Sequence, residues 1–368
     1  MPRVATAVDG PRWERSPRDI FDRHIRILDR HVRSMPRPSF FVVGHSKSGT
    51  TALARFLGQH PGLFMCEPKE PNYFCPSFCR IDDPAEAPGS AFVRRTEAAY
   101  LALFDAARPG QRCGEASAAY LYSEDAAARI HAFDPGARIV MLFREPVSFL
   151  RSYHLQLLKN PVSEGETVRD LGEAIRLEPA RRRGERLPKG CRIPEMLYYT
   201  TDRLAYDAHY DRFAALFPPE QLLAFVYDDF RRDNAGTVRR VFDFLGVDPS
   251  FVPDFGEHNT GGRVVRSRQA HRWLHALTTG RGALGRVKPL AKALVPQGLR
   301  RRAMEVAYRR LVYGTPPPLD PAVAETIRAA ARPHVAALGE RLGRDLLVEW
   351  GYGPSALPQQ AICEAVEA

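Results

Sequence analysis

The feature that most constrains this chain is one strand–loop–helix pattern near its start. Ser39-Phe40-Phe41-Val42-Val43 is a continuous aromatic and β-branched run that stops at Gly44. Such a run is the mark of a strand covered on both faces, and therefore of a parallel sheet with helices on either side. His45-Ser46-Lys47-Ser48-Gly49 follows, and a helix is predicted from Thr51 to Gly58, with Leu53, Phe56 and Leu57 on one side. A glycine-bounded turn between a strand end and a helix start turns backbone N–H groups toward an anion. The helix dipole adds to the attraction, and Ser48, Thr50 and Thr51 add hydroxyl donors. Lys47 supplies a movable positive charge inside the turn. A phosphate or a related dianion belongs there.

The pattern repeats downstream. Ala137 to Phe143 reads as a second buried strand, followed by Pro146 at a helix start and a helix toward Lys159. Gln221 to Tyr227 reads as a third, followed by a helix from Ala235 to Leu245. Strands alternating with helices predict an α/β sheet with helices on both faces. Before this region, Phe21, Ile25, Leu28 and Val32 recur at helical spacing in 19–33, and Pro36 and Pro38 end that helix. Residues 161–194 are polar, rich in Arg, Gly and Pro, and without clear period, so a binding loop or a disordered segment is expected. A final amphipathic helix is predicted after the proline-rich stretch 316–321, running to Leu347.

The anion chemistry is not that of a nucleoside triphosphatase. That loop reads G-x-x-x-x-G-K-[ST], with lysine directly after the second glycine. Here Lys47 precedes Gly49 by two positions, and Thr50 follows the glycine. Only Asp228 and Asp229, after the third strand, offer themselves as Mg²⁺-holding acids.

Gly44-His45-Ser46-Lys47-Ser48-Gly49-Thr50-Thr51 resembles the 5′-phosphosulfate loop of the sulfotransferases that use 3′-phosphoadenosine 5′-phosphosulfate (PAPS). The resemblance continues through His60-Pro61, Lys69-Glu70-Pro71-Asn72-Tyr73-Phe74, Gly114-Glu115-Ala116-Ser117 with Tyr120, and Arg144-Glu145-Pro146 with Ser152. It extends through Val226-Tyr227-Asp228-Asp229-Phe230, Phe244-Leu245-Gly246, Pro317 to Pro321, and Leu342-Gly343-Arg344-Asp345 with Trp350. Residues 38–350 follow the expected order and are closer to the carbohydrate-type branch than to the steroid and phenol branch.

The resemblance implies an α/β fold of three layers, a mostly parallel sheet flanked by helices, of the P-loop-like sulfotransferase type, with a helical basic C-terminal extension. The chain would divide into a tail and amphipathic helix (1–37), one sulfotransferase domain (38–350) that includes the basic segment 262–314, and a tail (351–368). The activity implied is transfer of a sulfo group from PAPS, released as PAP, to a hydroxyl, less readily an amine, of a glycan, glycolipid or small molecule, with no metal. Lys47 would stabilise the leaving 5′-phosphate oxygen, with Ser48, Gly49, Thr50 and Thr51 around it. Glu70 would be the base, helped by burial. Arg144 and Ser152 would hold the 3′-phosphate, where an arginine fork suits a dianion. Asn259, Thr260 and Arg266 would close over the nucleotide.

Two positions depart from the family pattern. Many carbohydrate-type members carry lysine where this chain has Ala116, and Lys69 is the candidate to supply that cation from the other side. His154 stands where tyrosine is common, and reads as a site neighbour or helix surface.

Composition enters at three points. Between Gly262 and Leu311 thirteen Lys or Arg face one acid, Glu305, which outweighs the chain's whole net charge of +10. The stripe is either a solvated helical face or a surface for an anionic partner such as a glycolipid-bearing membrane. No nucleic-acid motif accompanies it, and its aromatics are few, so nucleic acid is not expected. Six cysteines are irregularly spaced, and only Cys75 and Cys79 pair at a zinc-like interval, which predicts buried thiols. The first residues lack the apolar core of a secretory leader, and no apolar run reaches eighteen residues, so cytoplasmic residence is the expectation. Two other classes share the loop's chemistry: a P-loop-type nucleotide kinase, and a non-catalytic nucleotide-binding protein. Retention of both Lys47 and Glu70 favours catalysis.

Overall fold

In a computed structural model of the chain, the described residues are 36–82, 92–159, 165–256, 264–265, 313–314 and 318–353. Five strands form one parallel sheet in the order β2-β3-β1-β4-β5. They are β1 (Pro38–Gly44), β2 (Leu63–Met65), β3 (Arg112–Ala116), β4 (Arg138–Phe143) and β5 (Leu222–Val226). The buried runs around Phe40, Ile139 and Leu223 are thus β1, β4 and β5, as their composition predicts.

Side chains alternate across the sheet, and this alternation builds two cores. Phe40, Val42, Val140 and Leu142 point to one face and pack with Leu53, Phe56, Val241 and Phe242. These come from α1 (Thr50–Leu57) and the helix Asn234–Leu245. Phe41, Val43, Ile139, Met141 and Phe143 point to the other face. They meet a larger set of helices: α2 (Glu97–Leu101), α3 (Ala126–Phe133), α4 (Pro146–Leu157), α5 (Leu171–Arg176) and α7 (Tyr206–Ala214), while α6 (Glu178–Arg182) follows α5 in the chain. The series continues with α8 (Tyr227–Arg232), α9 (the Asn234–Leu245 helix) and α10 (Pro321–Leu342), whose Ile327, Ala331, Val335 and Leu338 join the second core. The result is the three-layer α/β architecture expected. No helix among the described residues is long and apolar enough to cross a membrane.

Two strands escape a reading by hydrophobic runs. β2 has three residues, and β3 reads Arg112-Cys113-Gly114-Glu115-Ala116, with a charge and a glycine in its middle. The glycine has a packing reason. A Cβ at Gly114 would lie 2.2 Å from the ring of Phe40 on the neighbouring strand, so only glycine lets that ring cross β3.

The stretch 165–194 corrects the expectation of a binding loop or disorder. It carries α5 and α6, and Glu166 and Arg181, both buried, form a bidentate ion pair at 2.7 and 2.8 Å. Tyr199 donates to the same carboxylate at 2.8 Å. A polar sequence with no hydrophobic period can fold when its charges satisfy one another inside. The helix expected up to Leu347 ends instead at Leu342, where Gly343 takes a left-handed cap, and a short turn follows at Leu346–Glu349. Val264–Val265 (β6) pairs antiparallel with Tyr313–Gly314 (β7). The N-terminal helix 19–33, the helices of the basic stripe, Asn259, Thr260, Arg266 and the tail beyond 353 lie outside the described residues.

Candidate active site

The strand order reverses at β1. The chain passes from β1 to β2 and β3 on one side, then to β4 and β5 on the other. Open α/β sheets bind ligands in the crevice beyond the carboxyl ends of strands at such a point. The loops after β1, β3 and β4 meet here.

The loop 45–49 fits a strand end directly to a helix start. Lys47 (φ 63) and Gly49 (φ 89) both take left-handed backbone conformations, which tighten the turn. At Gly49 a Cβ would meet the ring of Phe230 at 2.8 Å, so the approach of α8 demands glycine. The first closed turn of α1 is Leu53 N–H to the Gly49 carbonyl at 2.9 Å. The N–H groups ahead of it in the helix have no intrahelical partner, which leaves them for an anion. The loop is pinned from behind: Ser46 N–H donates to the Tyr122 hydroxyl at 3.1 Å.

The residues predicted from the sequence divide as follows. Lys47 Nζ donates to Gln156 Oε1 on α4 at 3.3 Å. Burial, then the charges of Lys159 and Arg144, pull the Lys47 ammonium below the ordinary lysine range; the Glu70 carboxylate acts in the opposite sense. An ammonium so placed is short of negative charge. Thr50 is buried and Thr51 is exposed at the helix start. Ser48 is buried, its N–H turned back to the His45 carbonyl at 3.4 Å. Ser152 lies half-buried on α4, one turn before Gln156 and so on the same helical side.

Arg144 follows β4. Its Nη1 donates to the Lys47 carbonyl at 2.6 Å, and its guanidinium lies over the Tyr227 ring, 4.6 Å from the centroid. Its Nε and Nη2 form no hydrogen bond among the described residues. Glu145 caps α4 by accepting from Val147 and Ser148 N–H at 2.9 and 2.7 Å, which fixes the position of Arg144 just before it.

Glu70 sits on a left-handed turn (φ 62), its N–H donated to the carbonyl of Ala116 at 3.1 Å. The 66–72 loop is thereby docked on the carboxyl end of β3, one strand from Lys47. Lys69 Nζ pairs with Glu70 Oε1 at 2.6 Å, and the Glu70 side chain is 34 % exposed. The burial expected of the base is therefore only partial, and its nearest charge is an ammonium. The buried carboxyl is Glu115, fully enclosed and accepting from Tyr100, Tyr120 and Ser117 at 2.7, 2.8 and 2.7 Å. Burial pushes its pKa up to about 7 against those three donors.

His154 is not helix surface. It is buried and contacts the Val168 carbonyl through Nε2 at 2.9 Å, tying the segment after residue 165 to α4. Asp229 is engaged by Arg344 and, at 3.5 Å, by Arg232, which takes it away from the crevice. Cys66, Cys75, Cys79 and Cys113 are buried free thiols. Sequence reasoning missed Gln156, Lys159 and Tyr122, and quoted Tyr227 within a motif without giving it a role. Gln156, four residues after Ser152 on a helix, carried a spacing signal; Tyr122 carried none.

Comparisons agree with this geometry. A family model described as the Sulfotransferase family matches residues 38–251. The chain is 26% identical over 245 residues to the bifunctional heparan sulfate N-deacetylase/N-sulfotransferase 3 of Homo sapiens, covering 66% of this chain and 26% of that protein. It is 28% identical over 211 residues to heparan sulfate glucosamine 3-O-sulfotransferase 6 of Homo sapiens, covering 57% and 52%. A crystal structure of a sulfotransferase from Alicyclobacillus acidocaldarius is similar with a TM-score of 0.60 and 27% identity, over 86% of this chain and 99% of that one. The chain thus spans a quarter of one human relative and half of the other.

Proposed function

This chain belongs to the sulfotransferase family, and we propose that it moves a sulfo group from PAPS to a hydroxyl or amine of a glycan acceptor. The observation that carries the reading is the convergence of Lys47, Arg144 and the Lys69–Glu70 pair on one crevice that opens on the N-terminus of α1.

The donor's 5′-phosphosulfate suits the free N–H groups at the start of α1 and the Lys47 ammonium. Its 3′-phosphate suits the open edge of Arg144 and the Ser152 hydroxyl. The acceptor oxygen or nitrogen attacks sulfur in line with the bond from sulfur to the 5′-phosphate oxygen. That bond breaks, PAP departs with the electron pair, and the acceptor's proton passes to the Glu70 carboxylate. Lys47 stabilises the charge that grows on the departing oxygen, where a preformed cation contributes most. Lys69, 2.6 Å from Glu70, holds that carboxylate in place and supplies a cation on the side where Ala116 offers none. The human relatives are named as heparan sulfate enzymes, which supports an amino-sugar glycan as acceptor. The thirteen basic residues between Gly262 and Leu311 suit a polyanionic chain.

The test is transfer of label from [³⁵S]PAPS to a panel of N-desulfated heparan-type oligosaccharides, a glycolipid and a simple phenol, with Glu70→Gln beside the wild type. Labelled oligosaccharide from the wild type alone supports the reading. Label on the phenol only would overturn the acceptor class, and no label on any acceptor with PAPS intact would overturn the activity.

A further inference from the structure

Beneath the anion loop lies a charge that the mechanism above does not use. Arg203 is fully buried, yet no carboxylate pairs with it among the described residues. The adjacent Asp202 is taken by Arg182. The guanidinium donates to the Tyr153 hydroxyl at 3.3 Å and the Glu195 carbonyl at 2.9 Å, and its Nη1 has no partner. It lies over the Tyr122 ring, 4.1 Å from the centroid. A fully buried, unpaired cation is expensive, and proteins rarely keep one without compensation.

Its neighbours lead to the donor site from two sides. Tyr122, whose ring covers the guanidinium, holds Ser46 N–H at 3.1 Å through its hydroxyl. Tyr153, which accepts from Arg203, adjoins Ser152 on α4. Between them His45, the first loop residue, is enclosed by Tyr122, Phe149, Tyr206 and His209. His45 has neither ring nitrogen bonded, and burial, His209 and Arg203 all hold it neutral. The positive charge of Arg203 is therefore felt at His45, the first residue of the loop.

We infer that Arg203 is a positioning residue for the donor: a buried positive charge under the anion loop, compensated when the phosphates bind above it and coupled to the loop through Tyr122. The inference rests on the PAPS reading. In the low-dielectric interior the attraction between this cation and a bound phosphate is strong and poorly screened by salt.

The experiment is equilibrium binding of PAP to wild type, Arg203→Lys, Arg203→Met and Tyr122→Phe, with melting curves recorded without ligand. Arg203→Met is expected to weaken PAP about tenfold or more, and Arg203→Lys, which keeps the charge, to recover most of that loss. The difference should persist at high salt. Tyr122→Phe keeps the ring over Arg203 but frees Ser46, and should weaken PAP about three- to tenfold. It remains informative if Arg203→Met does not fold. PAP binding equal to wild type in Tyr122→Phe, or equal losses in the Lys and Met variants, would overturn the inference. So would an Arg203→Met protein that melts lower but binds PAP normally. A wild type that binds no PAP would overturn the donor reading itself, a different signature.

Discussion

Arg144 Nη1 donates to the backbone carbonyl of Lys47 at 2.6 Å, so the residue just after β4 holds the loop that follows β1. One guanidinium thus fixes the loop, and in the proposed function its remaining edge takes the donor's 3′-phosphate. A lysine could carry the charge but not both geometries. Arg144→Lys is expected to weaken PAP about tenfold or more, measured by calorimetry, with a smaller change in melting temperature. Undiminished affinity would show that the fork geometry is dispensable.

The Lys69–Glu70 pair gives two expectations. Glu70→Gln should lower kcat about 10²- to 10⁴-fold and leave PAP binding unchanged, because the proton acceptor is lost while the donor site is intact. Lys69→Ala should also lower kcat if its ammonium stands in for the cation missing at Ala116. Wild-type turnover in Lys69→Ala would reduce Lys69 to a surface partner of the carboxylate.

In the proposed mechanism Lys47 has to be protonated to stabilise the leaving oxygen. Burial and two neighbouring cations hold its pKa below the ordinary lysine value of 10.5. The sign follows: kcat should fall with rising pH, and should begin to fall below the range where a free lysine titrates. Lys47→Arg should move that alkaline limb upward even where the rate is lower, and Lys47→Ala should cost about a hundredfold in kcat. An alkaline limb that stays in place in Lys47→Arg would assign it to another group.

Glu115 predicts a stability effect apart from catalysis. Its pKa is pushed from 4.5 to about 7 by burial, so between those values the folded state binds more protons than the unfolded one. Stability from this group is fully present below pH 4.5 and is lost as pH rises toward 7. The melting temperature of wild type relative to Glu115→Gln should therefore decline across that window and level off above it. A flat difference would mean that the Tyr100, Tyr120 and Ser117 hydroxyls keep the carboxylate ionised throughout.

Much of this was legible in the chain. Phe40 to Val43, Ile139 to Phe143 and Leu222 to Val226 announce the sheet because strands covered on both faces have no polar positions to obscure them. Lys47, Gly49 and Arg144 are legible for a related reason: an anion site needs a strand end, a tight turn and a cation at fixed spacing. What stayed hidden was set by long-range packing. β3 is disguised by Gly114 and Glu115, whose presence is explained only by Phe40 crossing one and three hydroxyls meeting the other. The Glu166–Arg181 pair made an apparent loop into packed structure. Glu70 was readable as a residue, but its exposure beside Lys69 was not, since a loop's docking depends on the Ala116 carbonyl 46 positions away in sequence.

The measurement that tests the central claim most directly is thermal stabilisation by PAP, compared with ADP and with Mg-ATP, in wild type and Arg144→Ala. A ligand that binds only the folded chain raises its melting temperature with concentration. Selective stabilisation by PAP, reduced in Arg144→Ala, is the predicted result. A shift with Mg-ATP and none with PAP would contradict the account and return the site to phosphoryl transfer.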